Sequence, residues 1–186
     1  MTLWNSTDIA NATGGTATSE FEVSGLSIDT RSLKAGDLFV ALKDARDGHD
    51  FIPAAIKAGA GGILCEVAPE NTPSVNVPDS AKALAALGVF ARDERDAIRI
   101  GVTGSVGKTS VKDALAVMLS AFGTTHKSIK SFNNHLGVPI TLATIPADAK
   151  YAVLEMGMNH AGEMSGLSLI HISEPTRRYA ISYAVF

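Results

Sequence analysis

The sequence lacks the features that mark disulfide scaffolds, membrane proteins and nucleic-acid-binding proteins. It has one cysteine in 186 residues, which rules out an internal disulfide. No apolar run approaches the roughly 20 residues that a membrane helix requires, and the N-terminal segment MTLWNS shows no export signal. Sixteen basic residues against nineteen acidic ones give a net charge of −3 without a basic block. We therefore expect a cytoplasmic protein that binds neither membrane nor nucleic acid, with Cys65 as a core residue.

The chain has enough apolar residues, 46%, to bury a core in one large domain or two small ones. Short apolar runs alternate with amphipathic stretches, a pattern that predicts an α/β fold with a parallel sheet. Asp50 and Ser80 are expected to cap helices. The predicted strands lie at 26–30, 38–42, 63–67, 98–102 and 151–154, and the predicted helices at 8–12, 51–58, 81–93 and 108–122.

The last twenty residues have a separate interpretation. Residues 167–177 and 181–186 can be encoded by a common sequencing adapter, and residues 178–180 leave room for an index between them. We expect 167–186 to be adapter read-through, in which case its histidine and arginines carry no function. The alternative is a genuine strand-rich segment with a turn at Glu174-Pro175.

The most informative segment is Gly101-Val-Thr-Gly-Ser-Val-Gly-Lys-Thr-Ser110, which lies between a predicted strand and a predicted helix. Glycines let backbone N–H groups approach phosphate oxygens, and the helix N-terminus attracts anions. Val102 breaks the strict phosphate-loop pattern, but the Thr-Gly-x-x-Gly-Lys-Thr core is intact. The pattern predicts ATP binding, with Lys108 on the β/γ-phosphates and Thr109 on Mg²⁺. The expected contacts are Thr103, Gly104, Ser105, Val106, Gly107, Lys108, Thr109 and Ser110.

A carboxylate, Glu155, ends the second strand of this part of the chain. Ligands of open α/β sheets bind at the carboxyl ends of the strands, where an oxygen ligand suits Mg²⁺. The alternative is a solvated glutamate.

Other polar and apolar residues of this part of the chain have ordinary structural interpretations. We expect Lys112 and Asp113 to form a solvated helix face, His126 and His135 to face solvent, and Leu115, Met118, Leu119 and Phe122 to form a core stripe.

Four groups of motifs, in order, resemble the Mur ligases, the ATP-dependent amide-forming enzymes of peptidoglycan assembly. They are Ile28-Asp-Thr-Arg31 with Gly36-Asp-Leu-Phe39 and Asp47-Gly-His-Asp-Phe51, the phosphate loop, Asn133-Asn-His-Leu-Gly-Val-Pro139, and Leu154-Glu-Met-Gly-Met-Asn-His-Ala-Gly-Glu163. The resemblance runs from about residue 3 to about residue 166 and points to the branch that adds D-Ala-D-Ala to UDP-MurNAc-tripeptide.

The resemblance implies roles for further residues. Asn133 and Asn134 would lie near the metal and phosphates, although they could simply form a turn. Asn159 and His160 would act near the substrate or the γ-phosphate. Thr30, Arg31, Asp47 and His49 would bind the UDP portion of the substrate, although Arg31 could instead pair with Asp29 or Asp37, and 47–49 could be an ordinary loop.

The resemblance also implies an organisation. Residues 1–80 would form the substrate domain, 81–97 a connecting helix and linker, and 98–166 part of a P-loop ATPase domain that ends early. The ligase would be a cytoplasmic, ATP- and Mg²⁺-dependent monomer, and the 186-residue chain itself would not catalyse ligation. The tripeptide-forming branch of the family and a non-catalytic nucleotide-sugar-binding module remain alternatives.

Overall fold

The computed structural model describes residues 2–44, 46–129 and 133–157, and the backbone of 181–185. The chain forms two compact units, Met1–Leu87 and Gly88–Phe186. The boundary falls inside a helix, Ser80–Glu94, in the segment where the sequence predicts a connecting helix. In the described part of the chain, no helix is long and apolar enough to cross a membrane.

The first unit is built on a five-stranded sheet. In chain order its elements are β1 (Trp4–Asn5), α1 (Ser6–Thr13), β2 (Thr16–Ala17), β3 (Glu22–Val23), β4 (Gly25–Ser27), β5 (Asp37–Val40), a 3₁₀ helix (Gly48–Phe51), α2 (Ile52–Lys57), β6 (Gly62–Cys65), β7 (Ser74–Asn76) and α3 (Ser80–Glu94). The strand order is β2-β7-β6-β5-β4, and only β2 runs antiparallel to its neighbour. β1 and β3 form a separate antiparallel pair.

The continuous apolar runs of β5 and β6 are buried, as expected for strands of a parallel sheet covered by a helix. Phe39, Ile63 and Cys65 pack with Ile52 and Ala55 of α2 in one cluster. Cys65 is therefore a core residue, as predicted. Its burial raises the pKa of the thiol to about 11, so the reactive thiolate is disfavoured.

Two of the predicted helix caps are wrong. Asp79, rather than Ser80, caps α3, since its Oδ1 accepts hydrogen bonds from the N–H groups of Ala81 and Lys82 at 3.0 Å each. Asp47, rather than Asp50, accepts from the His49 N–H at 3.0 Å at the start of the 3₁₀ helix. In both places a carboxylate placed earlier in the chain reaches the first unpaired N–H groups.

The second unit is a parallel sheet with helices, as the alternation of strands and helices predicts. Its elements are β8 (Ile98–Gly104), α4 (Lys108–Ser120), β9 (Thr125–Lys127), α5 (Gly137–Ala143), β10 (Tyr151–Glu155) and β11 (Ile181–Val185), and the strand order is β11-β8-β10-β9. All three pairings are parallel, and Glu155 is in register with Val102. The backbone of β11 lies beside β8, and the adapter origin of 167–186 stays a prediction.

The predicted apolar stripe of α4 is only half correct. Leu115 and Leu119 pack against the cluster of Val102, Ala116 and Val153. Met118 and Phe122, by contrast, are 65% and 68% exposed. The buried face of α4 is rotated toward positions 112 and 116, so the far edge of the apolar stripe faces solvent.

The prediction that His126 faces solvent is wrong, because this residue packs against α5. Its Nε2 lies 3.1 Å from the carbonyl oxygen of Thr141 and 3.3 Å from the Thr144 hydroxyl. Burial lowers the pKa of His126 below its ordinary value, because the charged imidazolium would lose solvation. His135 is exposed, as predicted.

We expect the lowered pKa of His126 to make the second unit less stable in acid. In the unfolded chain the His126 imidazole takes up a proton near pH 6.5, whereas in the folded chain it does so only at lower pH. The free energy of unfolding is therefore unaffected by this group above pH 6.5 and decreases as the pH falls below that value. Urea unfolding on either side of pH 6.5 measures this loss, which should be smaller in His126→Gln. His135→Gln is the matched control, and equal pH dependence in all three proteins would contradict the prediction.

Candidate nucleotide-phosphate and metal site

The glycine-rich loop joins the end of β8 to the start of α4. Gly104 and Gly107 adopt φ values of 141° and 76°, which side-chain-bearing residues rarely adopt. Gly107 is the N-cap of α4, and no side-chain hydrogen bond caps that end of the helix. The first N–H groups of this 13-residue helix are therefore available to an anion, in the strand–loop–helix setting of phosphate loops.

Lys108 lies across this loop. Its Nζ donates a hydrogen bond to the carbonyl oxygen of Gly104 at 2.9 Å. The ammonium group is thus held against the loop backbone. Ser105, Val106 and Gly107 are exposed, so the outer surface of the loop is open. The loop presents N–H donors and one cation to the same space.

Glu155 is a buried carboxylate at the carboxyl end of β10, with 1% of its surface exposed. The Thr109 hydroxyl donates to its Oε2 at 3.0 Å, and the Asn133 amide donates to its Oε1 at 3.0 Å. The Nζ of Lys112, itself 1% exposed, lies 3.3 Å from Oε2. The backbone N–H of Glu155 donates to Ser128 Oγ at 3.0 Å. Each carboxylate oxygen is therefore held by a donor from a different segment.

The positions of Thr109 and Glu155 fit a magnesium ion. Mg²⁺ prefers oxygen ligands, and the Thr109 hydroxyl and the Glu155 carboxylate lie side by side, 3.0 Å apart. Thr103 Oγ1, near the end of β8, is buried without a hydrogen-bond partner among the described residues. No cluster of three or more His, Cys, Asp or Glu was found within those residues. Mg²⁺ sites that use nucleotide phosphates need only one or two carboxylates.

In the first unit, Asp47 and His49 line an open cleft of about 360 Å³. His49 Nε2 accepts a hydrogen bond from the Glu66 N–H at 3.0 Å, and Nδ1 lies 2.6 Å from Asp47 Oδ1. The hydrogen bonds from His49 keep the pKa of Asp47 below its usual value. The two ring nitrogens of His49 thus connect Asp47 to the backbone of Glu66. The other residues that line the cleft are Lys43, Ile52, Pro53, Val67 and Pro69.

Thr30 and Arg31 lie in the turn after β4 and do not line this cleft. The Arg31 guanidinium donates to both oxygens of Asp29, at 2.6 Å from Nη2 to Oδ2 and 2.9 Å from Nε to Oδ1. Of the two ion pairs considered for Arg31, the structure contains the one with Asp29. The Arg31 side chain is 89% exposed, although one edge of its guanidinium already pairs with Asp29.

Comparison with known proteins identifies the family. Residues 22–122 match the family model of the Mur ligase family, catalytic domain. The chain belongs to the Mur ligase family. Residues 102–175 also match the model of the Mur ligase middle domain.

Curated Mur ligases that share one named activity are similar to most of this chain. UDP-N-acetylmuramoyl-tripeptide–D-alanyl-D-alanine ligase of Rickettsia prowazekii is 37% identical over 176 residues, which cover 93% of this chain and 39% of that protein. The ligase of the same name from Escherichia coli is 39% identical over 89% of this chain and 36% of its own length. The chain therefore spans less than two fifths of the length of these relatives.

Solved Mur ligase structures are also similar to most of this chain. A D-alanyl-D-alanyl ligase structure from Acinetobacter baumannii has a TM-score of 0.78 and 32% identity over 90% of this chain and 39% of its own. The MurF ligase of Thermotoga maritima in complex with ADP has a TM-score of 0.64 and 30% identity over 80% of this chain and 35% of its own.

One feature of this Mur ligase site differs from the sequence-based expectations, and the structure separates the two interpretations of Asn133 and Asn134. The prediction of a solvated Lys112 is wrong, because this lysine is buried beside Glu155. The spacing of Lys112 from Lys108 and Thr109 could have indicated this position, because residues three and four apart share a helix face. The Asn134 Oδ1 accepts from the Gly137 N–H at 2.8 Å, which supports the turn interpretation for that residue. Asn133, by contrast, reaches Glu155.

The remaining predicted catalytic residues, Asn159 and His160, lie outside the described residues. The last described contact before them is the hydrogen bond from the Gly157 N–H to the carbonyl oxygen of Asn133, 2.7 Å long. Their assignment as catalytic residues stays a prediction.

Proposed function

We propose that this chain carries the UDP-substrate-binding and ATP-phosphate-binding parts of a ligase that joins D-Ala-D-Ala to UDP-MurNAc-tripeptide. The observation that carries the proposal is the arrangement of Lys108, Thr109 and Glu155 around one glycine-rich loop at the carboxyl edge of a parallel sheet. The names of the curated relatives supply the substrates. A cytoplasmic, monomeric enzyme is part of the proposal.

In this reaction the tripeptide carboxylate takes the γ-phosphoryl group of ATP, giving an acyl phosphate and ADP. The amine of D-Ala-D-Ala then attacks the acyl carbon, and phosphate leaves. Thr109 and Glu155 would hold Mg²⁺, which when bound offsets negative charge on the phosphates. The N–H groups at the start of α4 would bind phosphate oxygens, and Lys108 would stabilise charge on the transferring group.

The other residues have proposed roles on the substrate side. Asn133 would hold Glu155 in its metal-facing position through the contact already described. Asn134, Asn159 and His160 would lie near the substrate or the γ-phosphate. In the first unit, Asp47 and His49 would border the UDP site through the open cleft. Thr30 and the exposed fork of Arg31 would contact the diphosphate.

The nucleotide part of the proposal is tested by titrating the chain with a fluorescent ATP analogue, with Mg²⁺ and then with EDTA. We expect saturable binding that Mg²⁺ strengthens and that unlabelled ADP displaces. Absence of saturable binding at millimolar nucleotide would overturn the assignment of the phosphate loop. Binding of UDP-MurNAc-tripeptide by a protein that neither binds nor turns over ATP would favour the nucleotide-sugar-binding module.

The choice of amine substrate is tested in a full-length ligase that contains this segment. Phosphate release with UDP-MurNAc-tripeptide should depend on D-Ala-D-Ala. Phosphate release with UDP-MurNAc-dipeptide and a single amino acid would instead support the tripeptide-forming branch of the family.

A further inference from the structure

We infer that Lys112 is the resident counter-cation of the metal-binding carboxylate, and that it sets how strongly nucleotide binding depends on Mg²⁺. The inference has two halves, a buried Lys112–Glu155 pair and its effect on Mg²⁺ dependence, and the second, metal half rests on the proposed function. Both concern one atom, Oε2 of Glu155, which accepts a hydrogen bond from the Thr109 hydroxyl and lies 3.3 Å from the Lys112 ammonium. Lys112 therefore lies at the carboxylate oxygen that is next to Thr109, the other candidate metal ligand.

The burial of both groups makes their contact important for the charge balance of the site. Lys112 and Glu155 are each 1% exposed. A buried charge without a partner is strongly destabilising, whereas a buried pair is balanced. Asp113 lies 3.8 Å from the same ammonium but is half exposed, so solvent screens it. Lys112 thus neutralises Glu155 and keeps it in place.

The same charge acts in opposite directions on the two ligands. A cation beside Oε2 repels Mg²⁺ and attracts the phosphates of the nucleotide, and both effects are strengthened by the low dielectric of a buried site. Lys112 therefore supports nucleotide binding without metal and reduces the additional gain that the metal supplies. Removing the charge of Lys112 should weaken nucleotide binding in EDTA. It should therefore increase the ratio of the dissociation constant measured without Mg²⁺ to the one measured with Mg²⁺.

The test measures that ratio for wild type, Lys112→Met, Lys112→Arg and Lys127→Met. We expect the ratio to rise at least about threefold in Lys112→Met and to return toward the wild-type value in Lys112→Arg. Lys127→Met is the matched control, because Lys127 forms an exposed ion pair with Asp113, the residue that follows Lys112 on α4. A merely structural role for Lys112 would weaken binding equally with and without Mg²⁺, leave the ratio unchanged and overturn the inference.

A second measurement needs no nucleotide. Thermal unfolding of Lys112→Met, Glu155→Gln and the double variant compares the buried pair with its neutral replacement. Each single variant should lower Tm, and the double variant should recover more than half of the larger loss. If Lys112→Met fails to fold, folding of the double variant still supports the pairing. Additive losses would overturn it.

The proposed function and this inference fail in different ways. A wild-type chain that binds no nucleotide overturns the proposed function and the metal half of the inference together, and the unfolding data then decide the pairing alone. A wild-type chain whose binding depends on Mg²⁺, with the same ratio in Lys112→Met, overturns the inference and leaves the proposed function standing.

Discussion

Replacing Lys108 with alanine is expected to weaken ATP binding by about a hundredfold and to reduce the ligase rate of a full-length enzyme at least as much. The ammonium is held against the loop by its hydrogen bond to the Gly104 carbonyl. The glycines and the helix N-terminus would remain. The loss therefore measures the cation alone.

The matched control for Lys108→Ala is Lys127→Ala. Lys127 is a half-exposed lysine of the same unit, and its ion pair with Asp113 contributes little to stability in solvent. Titration calorimetry with ATP and Mg²⁺, combined with unfolding curves, separates lost binding from lost folding. Unaltered nucleotide affinity in Lys108→Ala would argue against a phosphate-binding role for the loop, even though its geometry is that of a phosphate loop.

The strand–loop–helix geometry of this site could be predicted because its signals are local. The glycine and lysine spacing of the loop depends on ten consecutive residues, and the burial of β10 follows from its apolar composition. The position of Glu155 needs one non-local rule, that the carboxyl ends of parallel strands meet at one edge. The register of Glu155 with Val102 agrees with that rule.

What the sequence cannot predict depends on how helices are rotated against the sheet. The burial of Lys112 and the exposure of Met118 have one cause, the orientation of α4 toward β9 and β10. A lysine is normally assigned to the solvent face and a methionine to the core, and here the tertiary packing overrides both preferences. The burial of His126 escapes sequence reasoning for a related reason, since α5 covers it from a segment about 15 residues later.

The first unit shows the same limit at the motif Asp47-Gly48-His49. The sequence is compatible with two interpretations, an ordinary loop and a substrate site. The structure shows that His49 connects Asp47 to the backbone of Glu66, and it also places the motif on an open cleft. The structural role is therefore established by contacts, while the role in binding UDP stays a proposal.

Replacing Gly48 with alanine should destabilise the first unit by about 3 kcal/mol or more. A Cβ at this position would lie 2.5 Å from the carbonyl oxygen of Leu42 and 2.6 Å from its nitrogen. Both are backbone atoms, so no side-chain rotation can relieve the contact. Moving the loop away from Leu42 would also break the hydrogen bond from the Gly48 N–H to the Leu42 oxygen, which is 2.7 Å long.

Gly14→Ala is the matched control for Gly48→Ala, because it tests backbone strain without a steric contact. Gly14 has a φ of 66° and no atom lies within 4 Å of the position that a Cβ would take, so alanine there should cost only about 1 kcal/mol. Trp4, the single tryptophan, is buried in the first unit, and its fluorescence reports urea unfolding of that unit. Equal losses in the two variants would mean that the loop carrying Asp47 and His49 can move away from Leu42. The expected larger loss means instead that close backbone contact with Leu42 fixes the loop in place.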